Sequence, residues 1–171
     1  MAVTLQIALD FIDLHRAIKV AEEAVNAGAD WLEIGTPLIK SEGMNAIRQF
    51  RKLFPNITLV ADMKTMDAGR VEVEMAAKAG ADIAVVMGEA SDSTIRECVQ
   101  AGKNYGIKIC ADFINNEKIA DRLKDIEKLG VDYLAVHTAI DEQMSGKTPF
   151  DVLKFVCGEV KIPVAVAGGI N

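Results

Sequence analysis

Three stretches of this chain repeat one another. Ala27-Gly28-Ala29-Asp30-Trp31-Leu32-Glu33-Ile34-Gly35 is echoed by Ala79-Gly80-Ala81-Asp82-Ile83-Ala84-Val85-Val86-Met87-Gly88 and by Leu129-Gly130-Val131-Asp132-Tyr133-Leu134-Ala135-Val136-His137. Each reads as a helix end with glycine just past the last helical residue, then a short turn and an apolar strand. The glycines recur about 50 residues apart. Further apolar runs fall between them and after them: Ile57 to Ala61, Ile107 to Ala111, and Val164 to Ala167. The underlying unit is therefore about 25 residues of strand plus helix, the size of one βα unit.

The intervening segments carry helical periodicity. Leu14, Ala17, Ile18, Ala21, Ala24 and Val25 share a face after a capping Asp13. Ala46, Ile47, Phe50 and Leu53 do the same before Pro55, and Val71, Met75, Ala76 and Ala79 follow Asp67, which opens its helix. Ile95, Cys98 and Val99 follow the caps Ser91 to Ser93. Ile119, Leu123, Ile126 and Leu129 follow Asn115-Asn116; Phe150, Leu153, Val156 and Cys157 follow Pro149. Seven strands result, at about 4–9, 31–35, 57–61, 82–87, 107–111, 132–136 and 163–167. Regular alternation with short connections predicts an α/β fold with an all-parallel sheet, and near-constant unit length predicts a (β/α)8 TIM barrel over a doubly wound sheet. A full barrel at this period needs about 200 residues. Residues 1–171 thus read as a single barrel domain, C-terminally incomplete and lacking the eighth βα unit.

Composition narrows the function classes. A net charge of −6 with no basic cluster argues against nucleic acid and anionic membranes as partners. Cys98, Cys110 and Cys157 are widely spaced and form no CxxC pair, which predicts reduced thiols rather than disulfides or a zinc site. With no secretory leader pattern and no apolar run of spanning length, a cytoplasmic protein is expected.

In a parallel barrel the strand ends gather at one face, where ligands bind. Asp10 ends the first strand, Glu33 lies near the end of the second, Asp62 and Lys64 end the third, Asp112 follows the fifth and His137 ends the sixth. Strand alternation points Val60, Asp62 and Lys64 the same way. Two carboxylates from neighbouring strands, Glu33 and Asp62, invite a hard divalent cation, and Mg²⁺ suits a site of one or two protein oxygens completed by water and substrate. The alternatives are structural: an ion pair of Lys64 with Asp62, or of Lys64 with Glu33. His137 is suited to proton transfer near neutral pH, with a satisfied core histidine as the alternative. The early-helix His15 reads as solvated. Gly168-Gly169 after the seventh strand offers backbone N–H groups to a phosphate. The long insert Thr138 to Thr148, with Ser145-Gly146-Lys147, reads as an active-site loop.

Leu9-Asp10, Glu33-Ile34-Gly35-Thr36-Pro37, Ala61-Asp62-Met63-Lys64-Thr65-Met66-Asp67-Ala68-Gly69 and Gly168-Gly169-Ile170 resemble the orotidine 5′-monophosphate decarboxylase suprafamily. The resemblance runs from the first strand to the last residue. Glu33 matches the metal-dependent branch of 3-hexulose-6-phosphate synthases and 3-keto-L-gulonate-6-phosphate decarboxylases. Val136 to Gln143 with Gly146-Lys147 resembles the synthases, whereas the decarboxylases tend to carry an arginine just after the histidine. The resemblance implies an aldol reaction joining formaldehyde to ribulose 5-phosphate, reversibly, with the sister decarboxylation as the alternative. It implies that Glu33 and Asp62 hold Mg²⁺, that Lys64 stabilises a 1,2-enediolate, and that His137 moves the C1 proton. It further implies that Asp10 hydrogen-bonds the sugar and that Asp67 reaches into the site of a partner subunit, making a homodimer the working unit.

Overall fold

The computed structural model describes residues 3–114 and 119–170. Seven strands form one parallel sheet in sequence order: β1 (Gln6–Leu9), β2 (Trp31–Ile34), β3 (Thr58–Thr65), β4 (Ile83–Met87), β5 (Lys108–Asp112), β6 (Tyr133–His137) and β7 (Val164–Ala167). The helices are α1 (Leu14–Asn26), α2 (Thr36–Glu42), α3 (Met44–Leu53), α4 (Gly69–Ala79), α5 (Asp92–Tyr105), α6 (Ile119–Leu129), α7 (Ile140–Gln143) and α8 (Phe150–Glu159). This is the seven-unit α/β barrel layout that the repeats predict. The sheet is curled, because the Trp31 ring on β2 meets the Tyr133 ring on β6 edge-on at 5.7 Å, although three strands separate β2 from β6.

Strand alternation divides the side chains between two cores. Leu9, Leu32, Ile34, Leu59, Ala84, Val86, Ile109 and Leu134 face outward and pack under the helices. Val60, Ile83, Val85 and Cys110 face inward, with Trp31, Tyr133 and Ala135 against them. The outward core is much the larger, as expected when helices wrap a parallel sheet.

The sequence repeat has a structural meaning larger than one βα unit. In each repeat the aspartate of the Gly-x-Asp turn clasps a residue at the start of the preceding strand with two hydrogen bonds. The Asp30 N–H donates to the Leu5 carbonyl (3.0 Å) while its carboxylate accepts from the Leu5 N–H (2.8 Å). Asp82 makes the same pair with Leu59 (2.9 and 2.7 Å), and Asp132 makes it with Ile109 (2.9 Å each). The period is therefore two strands long, because among the described residues every second strand carries the clasp. Arg51 bonds the Asp82 carboxylate and four backbone carbonyls around it, and Lys108 pairs with Asp132.

Local signals act as expected at α1, where Asp13 caps the Arg16 N–H at 2.7 Å, and at α5, where Ser91 caps Thr94. Four expectations need correction. β3 runs on to Thr65, past its predicted end at Ala61. α4 starts at Gly69 behind a left-handed Ala68, so Asp67 does not open it. Its buried face is Gly69, Val73, Ala76 and Ala79, while Val71 and Met75 face solvent. A side chain at Gly69 would strike the Thr94 carbonyl and the Cys98 thiol, so this glycine lets α4 and α5 pack closely and fixes the rotation of α4. Leu53, Phe150 and Cys157 are also exposed rather than core. The predicted Asn115-Asn116 cap lies outside the described residues.

Candidate active site

β3 carries the centre of the site, and it does so through an irregularity. Its register against β4 shifts between Ala61 and Thr65, and Lys64 takes a left-handed backbone conformation (φ 46°). A non-glycine residue in that region carries strain, and such strain collects at functional sites. Asp62 follows regular alternation from Val60; Lys64 reaches it through the bulge instead of by simple pleating.

The Lys64 ammonium lies 2.8 and 3.0 Å from the two Asp62 carboxylate oxygens and 3.2 Å from Asp112 Oδ2 on β5. The same Asp112 oxygen lies 3.2 Å from Nδ1 of His137 on β6. Asp62, Lys64, Asp112 and His137 thus form one chain of contacts across β3, β5 and β6. Asp62 and Asp112 are only 4% and 2% exposed, so their charges need these partners. Burial alone would lower the Lys64 pKa, but the facing Asp62 and Asp112 carboxylates outweigh it and hold it above the ordinary lysine value. His137 behaves likewise: burial would lower it, and the hydrogen bond and charge of Asp112 leave it raised. For Asp112 burial works upward, but His137 and Lys64 together hold it below the usual aspartate value.

Glu33 and Asp10 flank this chain. Among the described residues Glu33 bonds to Gln6 rather than to Lys64, so the alternative Glu33–Lys64 pair is not formed. Burial, and next the negative charge of Asp62, push the Glu33 carboxyl up to about 7. Asp10 is raised by the same two causes in the same order. Glu33 and Asp10 resist ionisation first through desolvation and next through the charge of Asp62, and a hard divalent cation would offset both costs. Among the described residues no three His, Cys, Asp or Glu side chains gather closely enough to cage an ion. Mg²⁺ needs only one or two carboxylates beside water and substrate, so Glu33 and Asp62 suit it.

The glycine turn lies at the edge of the site. Gly168 and Gly169 both have left-handed backbones (φ 81° and 69°). A Cβ at Gly168 would sit 2.1 Å from the Thr138 carbonyl. The Thr138 N–H donates to Ala167 (3.1 Å), and Gln143 on α7 donates to the Thr138 carbonyl (2.9 Å), so the predicted loop packs directly on the glycine turn. Asp67 stands apart. It is exposed, and its carboxylate accepts the neighbouring Ala68 N–H at 2.7 Å.

Two participants carried too little weight in the sequence. Asp112 was visible as one polar strand end among several, and nothing local marks it as the bridge between Lys64 and His137. Thr36, one hydrogen bond from Asp62, was visible only as part of a motif.

The Orotidine 5′-phosphate decarboxylase / HUMPS family model matches residues 4–169. A 3-hexulose-6-phosphate synthase from Bacillus subtilis is 42% identical over 168 residues, covering 98% of this chain and 80% of the relative. The crystal structure of 3-hexulose-6-phosphate synthase from Salmonella typhimurium superposes with a TM-score of 0.94 at 36% identity, over 98% of this chain and 80% of that one. A 3-keto-L-gulonate-6-phosphate decarboxylase from Vibrio cholerae follows at a TM-score of 0.89 and 32% identity, over 99% of this chain and 80% of that one. Matched along nearly all of its length, with acids, lysine and histidine gathered at the strand ends, this chain belongs to the orotidine 5′-phosphate decarboxylase / HUMPS family.

Proposed function

We propose that this chain is an aldehyde-lyase of the 3-hexulose-6-phosphate synthase type, joining formaldehyde to D-ribulose 5-phosphate to give D-arabino-3-hexulose 6-phosphate, and reversing the reaction. The observation that carries the proposal is the continuous Asp62–Lys64–Asp112–His137 contact chain at the strand ends, with both carboxylates buried and the two bases half-buried. Likeness to relatives named for that activity supports it.

The ion pairs of Lys64 with Asp62 and Asp112 favour one of two kinds of aldolase. A lysine that forms a Schiff base needs a depressed pKa, to be neutral and nucleophilic. Lys64 is held in its charged form and is suited to stabilising negative charge instead. His137 turns Nδ1 to Asp112, which fixes that nitrogen as the hydrogen-bearing one and leaves Nε2 as the base. His137 Nε2 takes a proton from C1 of the sugar phosphate. The C–H electron pair moves into the C1–C2 bond, and the carbonyl oxygen gains negative charge beside Lys64. C1 of this enediolate then attacks formaldehyde, the C2 carbonyl reforms, and His137 returns its proton to the new hydroxymethyl oxygen. Glu33 and Asp62 would hold Mg²⁺, whose charge polarises the carbonyl when it is bound. Asp10 hydrogen-bonds the sugar hydroxyls, and the N–H groups of Gly168 and Gly169 receive the phosphate.

Asp67, exposed and unused in its own chain's contact network, serves the site of a second copy in a homodimer. Met66 beside it, and Val71 and Met75 on the following helix α4, are exposed apolar residues suited to such contact.

Formaldehyde consumption with ribulose 5-phosphate, dependent on Mg²⁺ and lost in excess chelator, is the expected result; full activity in chelator defeats the metal assignment. CO₂ release from 3-keto-L-gulonate 6-phosphate faster than the aldol reaction would favour the decarboxylase. Thr138, Ala139 and Ile140 stand where those enzymes tend to carry arginine, which argues against that outcome. Mixing Lys64→Ala with Asp67→Ala protein should regenerate one intact site per mixed dimer. No recovery on mixing defeats the shared site.

A further inference from the structure

The irregular end of β3 leaves Asp62 in need of support. The β2–β3 ladder ends at the pair Ile34–Ala61, where β2 turns into α2, and the β3–β4 register shifts immediately after Ala61. Asp62 is the first residue past both. The Thr36 hydroxyl lies 2.8 Å from the Asp62 main-chain carbonyl and 2.8 Å from its Oδ2. A threonine hydroxyl has one hydrogen, shared here between two acceptors of the same residue. One side chain thereby ties the backbone and the carboxylate of Asp62 together and sets how that carboxylate is turned.

Thr36 is itself firmly held. It opens α2, followed by Pro37, whose fixed φ suits a first helical turn. The Gly35 carbonyl accepts the Ile39 N–H at 3.0 Å, and Leu38 is fully buried. Gly35 lies against Asp10, where a Cβ would sit 2.1 Å from Oδ1. The β2–α2 turn therefore brings Glu33, Thr36 and Asp10 around Asp62 as one rigid arc.

We infer that Thr36 is a positioning residue for the divalent cation: it presets the Asp62 carboxylate so that Asp62 and Glu33 bind the ion together. The inference rests on the reading of Glu33 and Asp62 as cation ligands. Partners that orient ligating carboxylates typically control metal affinity by 10- to 100-fold. Lys64 alone cannot do this work, because its flexible ammonium contacts both Asp62 oxygens and selects neither.

The test is direct titration of the substrate-free protein with Mn²⁺, followed by electron paramagnetic resonance, for wild type, Thr36→Val and Thr36→Ser. Valine keeps the shape and removes the hydroxyl; serine restores it. Thr36→Val should bind Mn²⁺ about 10- to 100-fold more weakly. Thr36→Ser should return to within roughly threefold of wild type, well inside that range. Aldol turnover of Thr36→Val should recover as Mg²⁺ is raised, a response that a general packing defect would not give. Unchanged Mn²⁺ affinity in Thr36→Val overturns the role of Thr36 while leaving the cation site standing. Wild-type protein that binds no Mn²⁺ overturns the cation site and the role of Thr36 with it. If Thr36→Val does not fold, Thr36→Ala takes its place: Mn²⁺ binding about 10- to 100-fold weaker supports the inference, and wild-type affinity overturns it.

Discussion

The middle of the sheet and its seventh unit are built from the same βα pattern, yet the residues proposed to act at each are held in different ways. At β3, β5 and β6 the proposed site is made of two buried carboxylates satisfied by half-buried bases: Lys64 meets both, and Asp112 also meets His137. At β7 the proposed site is backbone, two left-handed glycines of which Gly168 is pressed against the Thr138 carbonyl. Packing differs in parallel. β4 is buried at four of its five positions, whereas every residue of β7 is only partly buried. α8 shows Phe150, Val152 and Phe155 to solvent. Chemistry needs fixed charges in a dry place, and the well-packed middle supplies that. The proposed phosphate binding needs donors of fixed direction, which backbone geometry can provide.

The sharpest way to break this contrast is Lys64→Ala. It should reduce aldol turnover by on the order of 10³-fold. It also strips Asp62 and Asp112 of their cation, so the melting temperature should fall at pH 7 and fall less at pH 5, where an unpaired buried carboxylate can take up a proton. Turnover near the wild-type rate would remove Lys64 from the chemistry.

Glu33→Gln probes the same region through pH. The folded protein raises Glu33 from 4.5 to about 7, so between those values the native state holds a proton that the unfolded chain has lost. Stability should therefore fall as pH rises through this window, by on the order of 3 kcal/mol for a shift of this size. Urea denaturation of metal-free protein from pH 4 to 8 should show this loss in wild type and lack it in Glu33→Gln. Parallel profiles would mean that Glu33 ionises normally.

Gly168→Ala moves to the edge. The new Cβ meets a backbone carbonyl, and φ is unfavourable for alanine, so the turn must shift at a cost of about 1–3 kcal/mol. KM for the sugar phosphate should rise about tenfold or more, with far less change for a substrate lacking phosphate. Equal losses on both substrates would refute a phosphate role for the turn. The smallest effect belongs to Phe155→Ala. With 45% of its surface exposed, Phe155→Ala should cost about 1–1.5 kcal/mol of unfolding free energy, against about 3–5 kcal/mol for the fully buried Phe50→Ala. Comparable losses from the two would show that α8 is packed as tightly as α3.

Much of this molecule could be read without coordinates. Glycines past helix ends, Asp13 and Ser91 as caps and the apolar runs between them are local signals, and each behaved as its own chemistry dictates. The errors came where local pattern is ambiguous. Val71, Val73 and Met75 satisfy two helical faces equally, and only the contact of Gly69 with α5 selects Val73. The end of β3 looked like Ala61 because polar residues follow, and the bulge that carries the strand on to Thr65 depends on neighbours.

The sequence by itself determined the βα period, the parallel order of the strands and the set of polar residues at their ends, since these follow from spacing along the chain. It also contained the three Gly-x-Asp turns that clasp the strands in pairs. Only the tertiary structure decided which of those polar residues meet. Lys64 and Asp112 are 48 residues apart, and Asp112 and His137 are 25 apart. What joins them is the curl of the sheet, together with a left-handed lysine backbone that alternation does not predict. Curl is a collective property of many packed side chains, so no single stretch of sequence announces it.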